Sequence, residues 1–167
     1  MHKVMPLNGS SVLPVRADKV PIELKRTPQW VAWKLENRND RLAKVPYSPR
    51  TGRLASTTDP LTWGTFDDAL EVLGRYEGLG FVFSSADPYS GIDLDGCVEP
   101  ETGEISQWAL EVVRSVDSYT ELSPSGTGLH IFVRGRLPSS VKRPEIEMYS
   151  HSRFFTVTGH KVEVDDD

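Results

Sequence analysis

Three short segments, far apart in the chain, share one period-two alternation, and together they constrain the fold more than any other feature. In "IDLDG", Ile92 and Leu94 alternate with Asp93 and Asp95 before Gly96. In "GLHIFVRG", Leu129, Ile131 and Val133 alternate with His130, Phe132 and Arg134. In "EIEMYS", Ile146 and Met148 alternate with Glu145, Glu147 and Tyr149. A strand sends successive side chains to opposite sides, so each segment has one apolar face and one polar face. If the three are neighbours in a sheet whose apolar side lies under helices, Asp93, Asp95, His130 and Glu147 converge on its open side.

Taken singly, each acid has a plain reading. Asp93 and Asp95 suit a surface strand ending in an Asp-Gly turn, and Glu147 suits a solvent-facing strand position. Jointly they suit a site. Carboxylates are the preferred donors of Mg²⁺ and Mn²⁺, and two such ions activate an attacking hydroxyl while neutralising a leaving pyrophosphate. Carboxylates this close repel one another unless a cation lies between them. Charge is distributed to match: residues 1–60 carry +6, residues 61–130 carry −11 and residues 131–161 carry +4. An acidic middle between basic flanks fits a metal site with basic arms for a polyanion, although solvated faces that happen to cluster give the same sums.

The rest of the 167 residues suggests one α+β domain. Strands are expected at 29–36 and 78–85, and helices at about 65–76, capped by Thr65, and at 105–117, capped by Ser106. The intervening "NRNDRLAKVPYSPRTGR" reads as a basic, turn-rich segment. Residues 1–26, with Pro6, Pro14 and Pro21, form an extended leader; 27–164 form the domain; and 165–167 are an acidic tail that reads as the start of a linker to a further domain. The single cysteine, Cys97, excludes a disulfide framework and a cysteine zinc site, and is read as inert. The chain has neither an apolar run of membrane-spanning length nor a signal-peptide pattern, so an intracellular, cytoplasmic protein with no membrane partner is expected.

"SPSGTG" (123–128) precedes His130 directly. Its small residues permit close backbone approach, and successive N–H groups can cradle an anion, which makes Ser123, Ser125, Gly126 and Gly128 candidates for a triphosphate beside a basic histidine. The same residues also suit an ordinary hairpin connection.

In order and spacing, "GIDLDG", "SPSGTGLHIFVRG" and "IEMYSHSRFFTVTG" resemble the three motifs of archaeo-eukaryotic-type primases, and more narrowly those of the primase-polymerase domain of phage and plasmid replication proteins. The upstream "PQWVAWK", "KVPYSPRTGRLASTTDPLTW" and "FDDAL" extend the likeness to roughly residues 27–160. The resemblance implies an N-terminal αβ unit packed on an RRM-like mixed or antiparallel sheet, with the active site in the cleft between them. It implies template-directed nucleotidyl transfer from NTPs or dNTPs on single-stranded DNA with Mg²⁺ or Mn²⁺, in two-ion form, and a helical lid or helicase domain as partner. A host-cytoplasm location follows if the chain is phage-encoded. Carried over by motif, Asp93, Asp95 and Glu147 are the metal ligands and His130 contacts the phosphates. Many members have Asp in the third motif and Ser-x-His in the second; here the third acid is Glu and Gly128 stands two before His130. Glu145, of the same parity, competes with Glu147 for the third ligand. Lys44, Tyr47 and Arg153 are further nucleotide-binding candidates, with His160 behind them, whereas Trp33, Phe154 and Phe155 read as core. A non-catalytic single-stranded DNA-binding module and a metal-dependent nuclease or phosphodiesterase are the alternatives.

Overall fold

The computed structural model describes residues 12–135, 141–142 and 145–165. Residues 1–11 of the expected leader and 166–167 of the expected tail lie outside the described residues. The fold is α+β, as the sequence pattern suggests. Among the described residues, nine strands form two antiparallel sheets, with short helices against them. The first sheet has the order β2-β1-β3-β9, from Arg41–Tyr47, Trp30–Arg38, Gly78–Phe83 and Arg153–Val157. The second has the order β5-β6-β4-β8-β7, from Tyr119–Leu122, Leu129–Arg134, Tyr89–Leu94, Ile146–Tyr149 and Val141–Lys142. The last long strand, β9, returns to close the edge of the N-terminal sheet beside β3.

The two expected helices begin after their expected N-cap residues, Thr65 and Ser106, but Ser106 makes no side-chain capping hydrogen bond. Helix α2 (Phe66–Val72) starts at Thr65, whose hydroxyl accepts the Asp68 N–H while the Asp68 carboxylate accepts the Thr65 N–H, a reciprocal cap. The helix then tightens into a 3-10 turn at Leu73–Arg75. Helix α3 (Gln107–Val116) covers the apolar side of the second sheet, with Ala109, Leu110 and Val113 packed on Ile92, Leu94, Leu129 and Ile131. Among the described residues, no helix is long and apolar enough to cross a membrane.

The basic segment after β1 differs from its sequence reading. Residues 41–47 form β2, joined to β1 by a two-residue turn at Asn39 and Asp40, both with positive φ, +53° and +61°. A two-residue turn with both residues left-handed matches the twist of a hairpin, and Asn and Asp tolerate it best after Gly. Arg41, Lys44 and Pro46 disguise the strand, and all three are acceptable because β2 is a sheet edge.

The polar side of the second sheet is not open along its whole length. Its aromatic half, Tyr89, Phe132 and Tyr149, packs on Phe81, Phe83, Phe155 and Val157 of the first sheet in one shared core. Gly91 makes that approach possible: a Cβ there would lie 2.5 Å from Phe155 and 2.6 Å from Phe83. Of the charged row beyond it, Asp93 and Glu147 are half-buried at the margin between the sheets, while His130 is buried. In the N-terminal segment, Val20 and Leu24 (in α1, Ile22–Lys25) are buried in the same core. Residues 13–16 run past the second sheet, where Leu13 N–H bonds to Pro124 O at 2.9 Å and Arg16 N–H to Thr158 O at 2.8 Å.

Candidate active site

Register brings the motif residues into one row. Asp93 on the central strand β4 faces His130 on β6 and Glu147 on β8, and His130 faces Glu121 on β5. Directly opposed residues in antiparallel strands share a face, with their Cβ atoms about 5 Å apart. The row Glu121, His130, Asp93, Glu147 therefore crosses the sheet at right angles to its strands. Three members, Asp93, His130 and Glu147, line a cavity of about 200 Å³ together with Lys44, Tyr149, Arg153, Phe154, Phe155 and Thr156. The cavity draws on both sheets and lies in the cleft between them.

His130 is buried and held on three sides. Its Nε2 lies 3.3 Å from Asp93 Oδ1, its Nδ1 lies 3.1 Å from the Thr156 carbonyl, and its ring packs on Phe155 with centroids 4.7 Å apart. The Thr156 carbonyl accepts only from a protonated Nδ1, which leaves Nε2 as the atom presented to Asp93 and the cavity. Glu147 accepts a hydrogen bond from the Tyr149 hydroxyl. Burial first, then that bond, pushes the Tyr149 hydroxyl up to about 12, so it remains a donor. The Arg153 guanidinium stacks 4.7 Å from the Tyr149 ring centroid.

Asp95 follows the end of β4 and is exposed; its N–H donates to the Glu145 carbonyl at 2.9 Å, which continues the β4–β8 pairing past Asp93 and Glu147. Glu147 lines the cavity, and exposed Glu145 stands beside Asp95 instead. The Ser123–Gly128 loop sits at this same end of the sheet: a Cβ on Gly128 would lie 2.8 Å from Leu94 O and 3.7 Å from Asp95 Cα. Its own N–H groups are engaged internally, Gly126 to Ser123 O and Gly128 to the Ser123 hydroxyl, and the Ser125 hydroxyl pairs with Thr127.

Asp95 and the Ser123–Gly128 candidates thus lie beside the cavity rather than in its lining, and Tyr47 and His160 lie elsewhere. Lys44 and Tyr47 are three apart on β2 and so face opposite sides; Lys44 lines the cavity, while Tyr47 donates to Glu36 and packs on Tyr76 with centroids 5.7 Å apart. The Glu36 hydrogen bond raises the Tyr47 hydroxyl above its usual range. His160 pairs its Nε2 with the Pro14 carbonyl at 2.6 Å, fastening the N-terminal segment, and burial lowers its tendency to protonate. Cys97 is buried, and burial pushes its thiol up to about 12, which leaves it unreactive at neutral pH.

Glu121 is the residue the sequence reading missed. It is fully buried and accepts from Thr158 N–H at 2.7 Å, Gly159 N–H at 3.0 Å and the Tyr119 hydroxyl at 2.9 Å. Burial raises its pKa while these donors oppose the rise. Its parity with His130 in "YTEL" was the available signal.

The donor set is all oxygen and suits a hard divalent cation. Asp93 and Glu147, opposed across one strand pair, are the arrangement such a cation relieves. Among the described residues, no three His, Cys, Asp or Glu side chains are grouped closely enough to hold a metal by themselves. For a cation to be held there, Asp95 would have to turn in or a ligand would have to complete the shell. A larger groove of about 650 Å³ lies at the far end of β6, by Tyr89, Phe132 and Arg134. It contains none of the motif acids, and two of its cations are paired, Arg134 with Glu23 at 4.0 Å and Lys161 with Glu163 at 3.2 Å.

No family model matches the chain. Over 153 aligned residues, 86% of the chain, it is 42% identical to a protein described as a DNA primase-polymerase from Nitratiruptor phage NrS-1. The chain spans about a fifth of that protein's length, 21%.

Proposed function

The chain is related to primase-polymerases over 86% of its length, and from that premise we propose that it is a nucleotidyl-transfer domain, joining NTPs or dNTPs to a 3′ end on a single-stranded DNA template. The observation that supports this best is the opposed pair Asp93 and Glu147 sharing one cavity with His130, Lys44 and Arg153. Acids and cations thus line one cavity, the arrangement that a triphosphate with divalent ions requires.

In this reading, Asp93 and Glu147 supply oxygens to two Mg²⁺ or Mn²⁺ ions, with Asp95 turning in from the strand end. Mg²⁺ or Mn²⁺ held by these carboxylates would supply Lewis-acid chemistry, a lowered pKa for an attacking 3′-hydroxyl and a counter-charge for a leaving pyrophosphate. Tyr149 orients Glu147 through its hydroxyl. His130, its ring fixed by Phe155 and by the Thr156 carbonyl that takes its Nδ1–H, would as an imidazolium donate Nε2–H to a phosphate oxygen once Asp93 is engaged by cations. Lys44 and Arg153 offset the charge that develops on the phosphates. The Ser123–Gly128 loop lies beside Asp95 at that end of the sheet. A helical lid or helicase domain, in the same or a partner chain, would complete template handling.

The test is extension of a labelled primer on a single-stranded template with Mn²⁺ or Mg²⁺, comparing NTPs with dNTPs. The expected result is added nucleotides with the wild-type chain and none with Asp93→Asn. Degradation of DNA without any nucleotide would identify a nuclease instead. DNA binding with no metal-dependent nucleotide binding by calorimetry would identify a non-catalytic module.

A further inference from the structure

The face of the β1–β2 hairpin that Tyr47 shares with Lys34 is opposite to the one that carries Lys44, and it is chemically distinctive. Register puts Lys34, Glu36, Arg38, Arg41 and Tyr47 on one side, since Ala32 faces Tyr47, Lys34 faces Val45 and Arg38 faces Arg41. The Lys34 ammonium lies 5.5 Å from the Tyr47 ring centroid and 5.1 Å from that of Tyr76, held over two aromatic faces. The two rings are in contact, tilted 42° to each other. At the tip, Arg38 and Arg41 occupy directly opposed positions across the turn. Like charges in that position are unfavourable unless an anion lies between them. The acid on this side of the hairpin, Glu36, is engaged by the Tyr47 hydroxyl and by Arg38 at 3.6 Å.

We infer that this face is a stacking platform for the single-stranded DNA template, an inference that rests on the reading of the chain as a template-directed enzyme. Aromatic rings beside a cationic track are what an unpaired strand requires: the rings take a base face, which is sequence-tolerant, and the cations take the backbone. From Lys34 to Arg38 the strand advances about 13 Å, enough to follow more than one phosphate. A duplex hides its base faces, and a polyanion without bases leaves Tyr47 and Tyr76 without a role, so the pairing of rings with cations selects a single strand. By register this face of the sheet also carries Phe155 and Arg153, which line the cavity, so a strand bound here is delivered toward the cleft.

The experiment is fluorescence anisotropy of a labelled oligo-dT with the full chain, without metal or nucleotide, over a range of salt. Replacing Tyr47 and Tyr76 together by leucine, which keeps most of their packing volume, is expected to weaken binding at least about fivefold, the low end for one base that no longer stacks. Arg38→Gln with Arg41→Gln is expected to flatten the slope of log affinity against log salt by roughly 0.7 for each phosphate that is no longer neutralised. Wild-type affinity and wild-type salt slope in both double variants would overturn the platform, as would equal competition by duplex DNA or by a base-free polyanion. Primer extension is measured in parallel with Asp93→Asn. If the wild-type chain extends nothing but the tyrosine variant loses oligo-dT, the enzymatic reading fails and the platform stands. If extension is present and binding is unchanged in the variants, the reverse holds.

Discussion

Asp93 and Glu147 owe their chemistry to a single register pairing, and the same pairing makes their substitution informative. With no cation present, the two carboxylates oppose each other across β4 and β8, a cross-strand arrangement that costs a few tenths to about 1 kcal/mol. Asp93→Asn removes the repulsion but also weakens the interaction with His130 Nε2 at 3.3 Å. The expected outcome is little change in melting temperature together with loss of primer extension by about a hundredfold or more, the scale on which loss of a group stabilising transition-state charge is felt. Thermal denaturation and gel-based extension read the two effects separately. Glu121 should behave in the opposite way. Its carboxylate accepts from two backbone N–H groups and a hydroxyl with no solvent to replace them. Glu121→Gln points an amide donor at those donors, and a buried group left unsatisfied costs about 1–3 kcal/mol. Urea denaturation should show that loss, and it should be accompanied by disordering of Thr158 and Gly159 rather than by a selective loss of chemistry.

At the scale of elements, the N-terminal segment depends on one histidine. His160 presents Nε2 to the Pro14 carbonyl, and Gly159 leaves room for Arg16, whose carbonyl would lie 2.1 Å from a Cβ there. Burial depresses the folded-state pKa of His160 below its unfolded value near 6.5. The unfolded chain then binds the proton more readily, so stability is complete above about pH 6.5 and is lost as the pH falls below it. His160→Gln retains a donor without the titration. The fall in melting temperature between about pH 7.5 and pH 5.5, the window set by this depressed pKa, should be smaller in this variant than in the wild-type chain. Equal falls would show that the group is not responsible. The hairpin gives a second prediction at this scale. Asp40 has a φ of +61° at the second turn position, where Gly costs nothing sterically. Asp40→Gly is therefore expected to stabilise the chain by a few tenths to about 1 kcal/mol in urea denaturation.

What the sequence made legible follows from the same physics. β4, β6 and β8 alternate cleanly because one face of each lies on the α3 side, so parity alone placed Asp93, His130 and Glu147 on a common side. β2 escaped detection because an edge strand needs no apolar period, and because an Asn-Asp pair announces a turn without announcing a hairpin. Glu121 could not be recognised as buried, since its donors, Thr158 and Gly159, arrive from 37 and 38 residues further along. Lys44 and Tyr47 were grouped by proximity, although a spacing of three on a strand separates them. The shared core was hidden too: residues on the "open" face included Tyr89, Phe132 and Tyr149, and only the first sheet's aromatic side explains where they go.

At the scale of the molecule, the two sheets meet through those aromatics, and the point of nearest approach lies within the motif that carries the acids. Gly91 is two residues before Asp93 on the same face of β4. Phe155, one of the rings its missing Cβ would strike, at 2.5 Å, is also the ring on which His130 packs, at 4.7 Å. Phe155 in turn contacts Phe83 and Tyr149, with centroids at 5.0 Å and 6.3 Å. A methyl group at position 91 therefore cannot be absorbed by a flexible side-chain end; the sheets have to separate or the rings have to rotate. Overpacking of this kind costs about 1–3 kcal/mol. Gly91→Ala is expected to lower the melting temperature and, at temperatures where the variant is still folded, to reduce extension as well, because the displaced Phe155 carries His130 with it and widens the cleft between Asp93 and Arg153. A control separates the two effects. Val113→Ala removes volume from the α3 side of the second sheet, away from the cavity, and should lower stability by a similar amount with extension by the folded fraction unchanged. If Gly91→Ala and Val113→Ala lost extension only in proportion to unfolding, the cleft would be insensitive to the sheet-to-sheet distance. If only Gly91→Ala lost more, the spacing of the two sheets would be part of the active site.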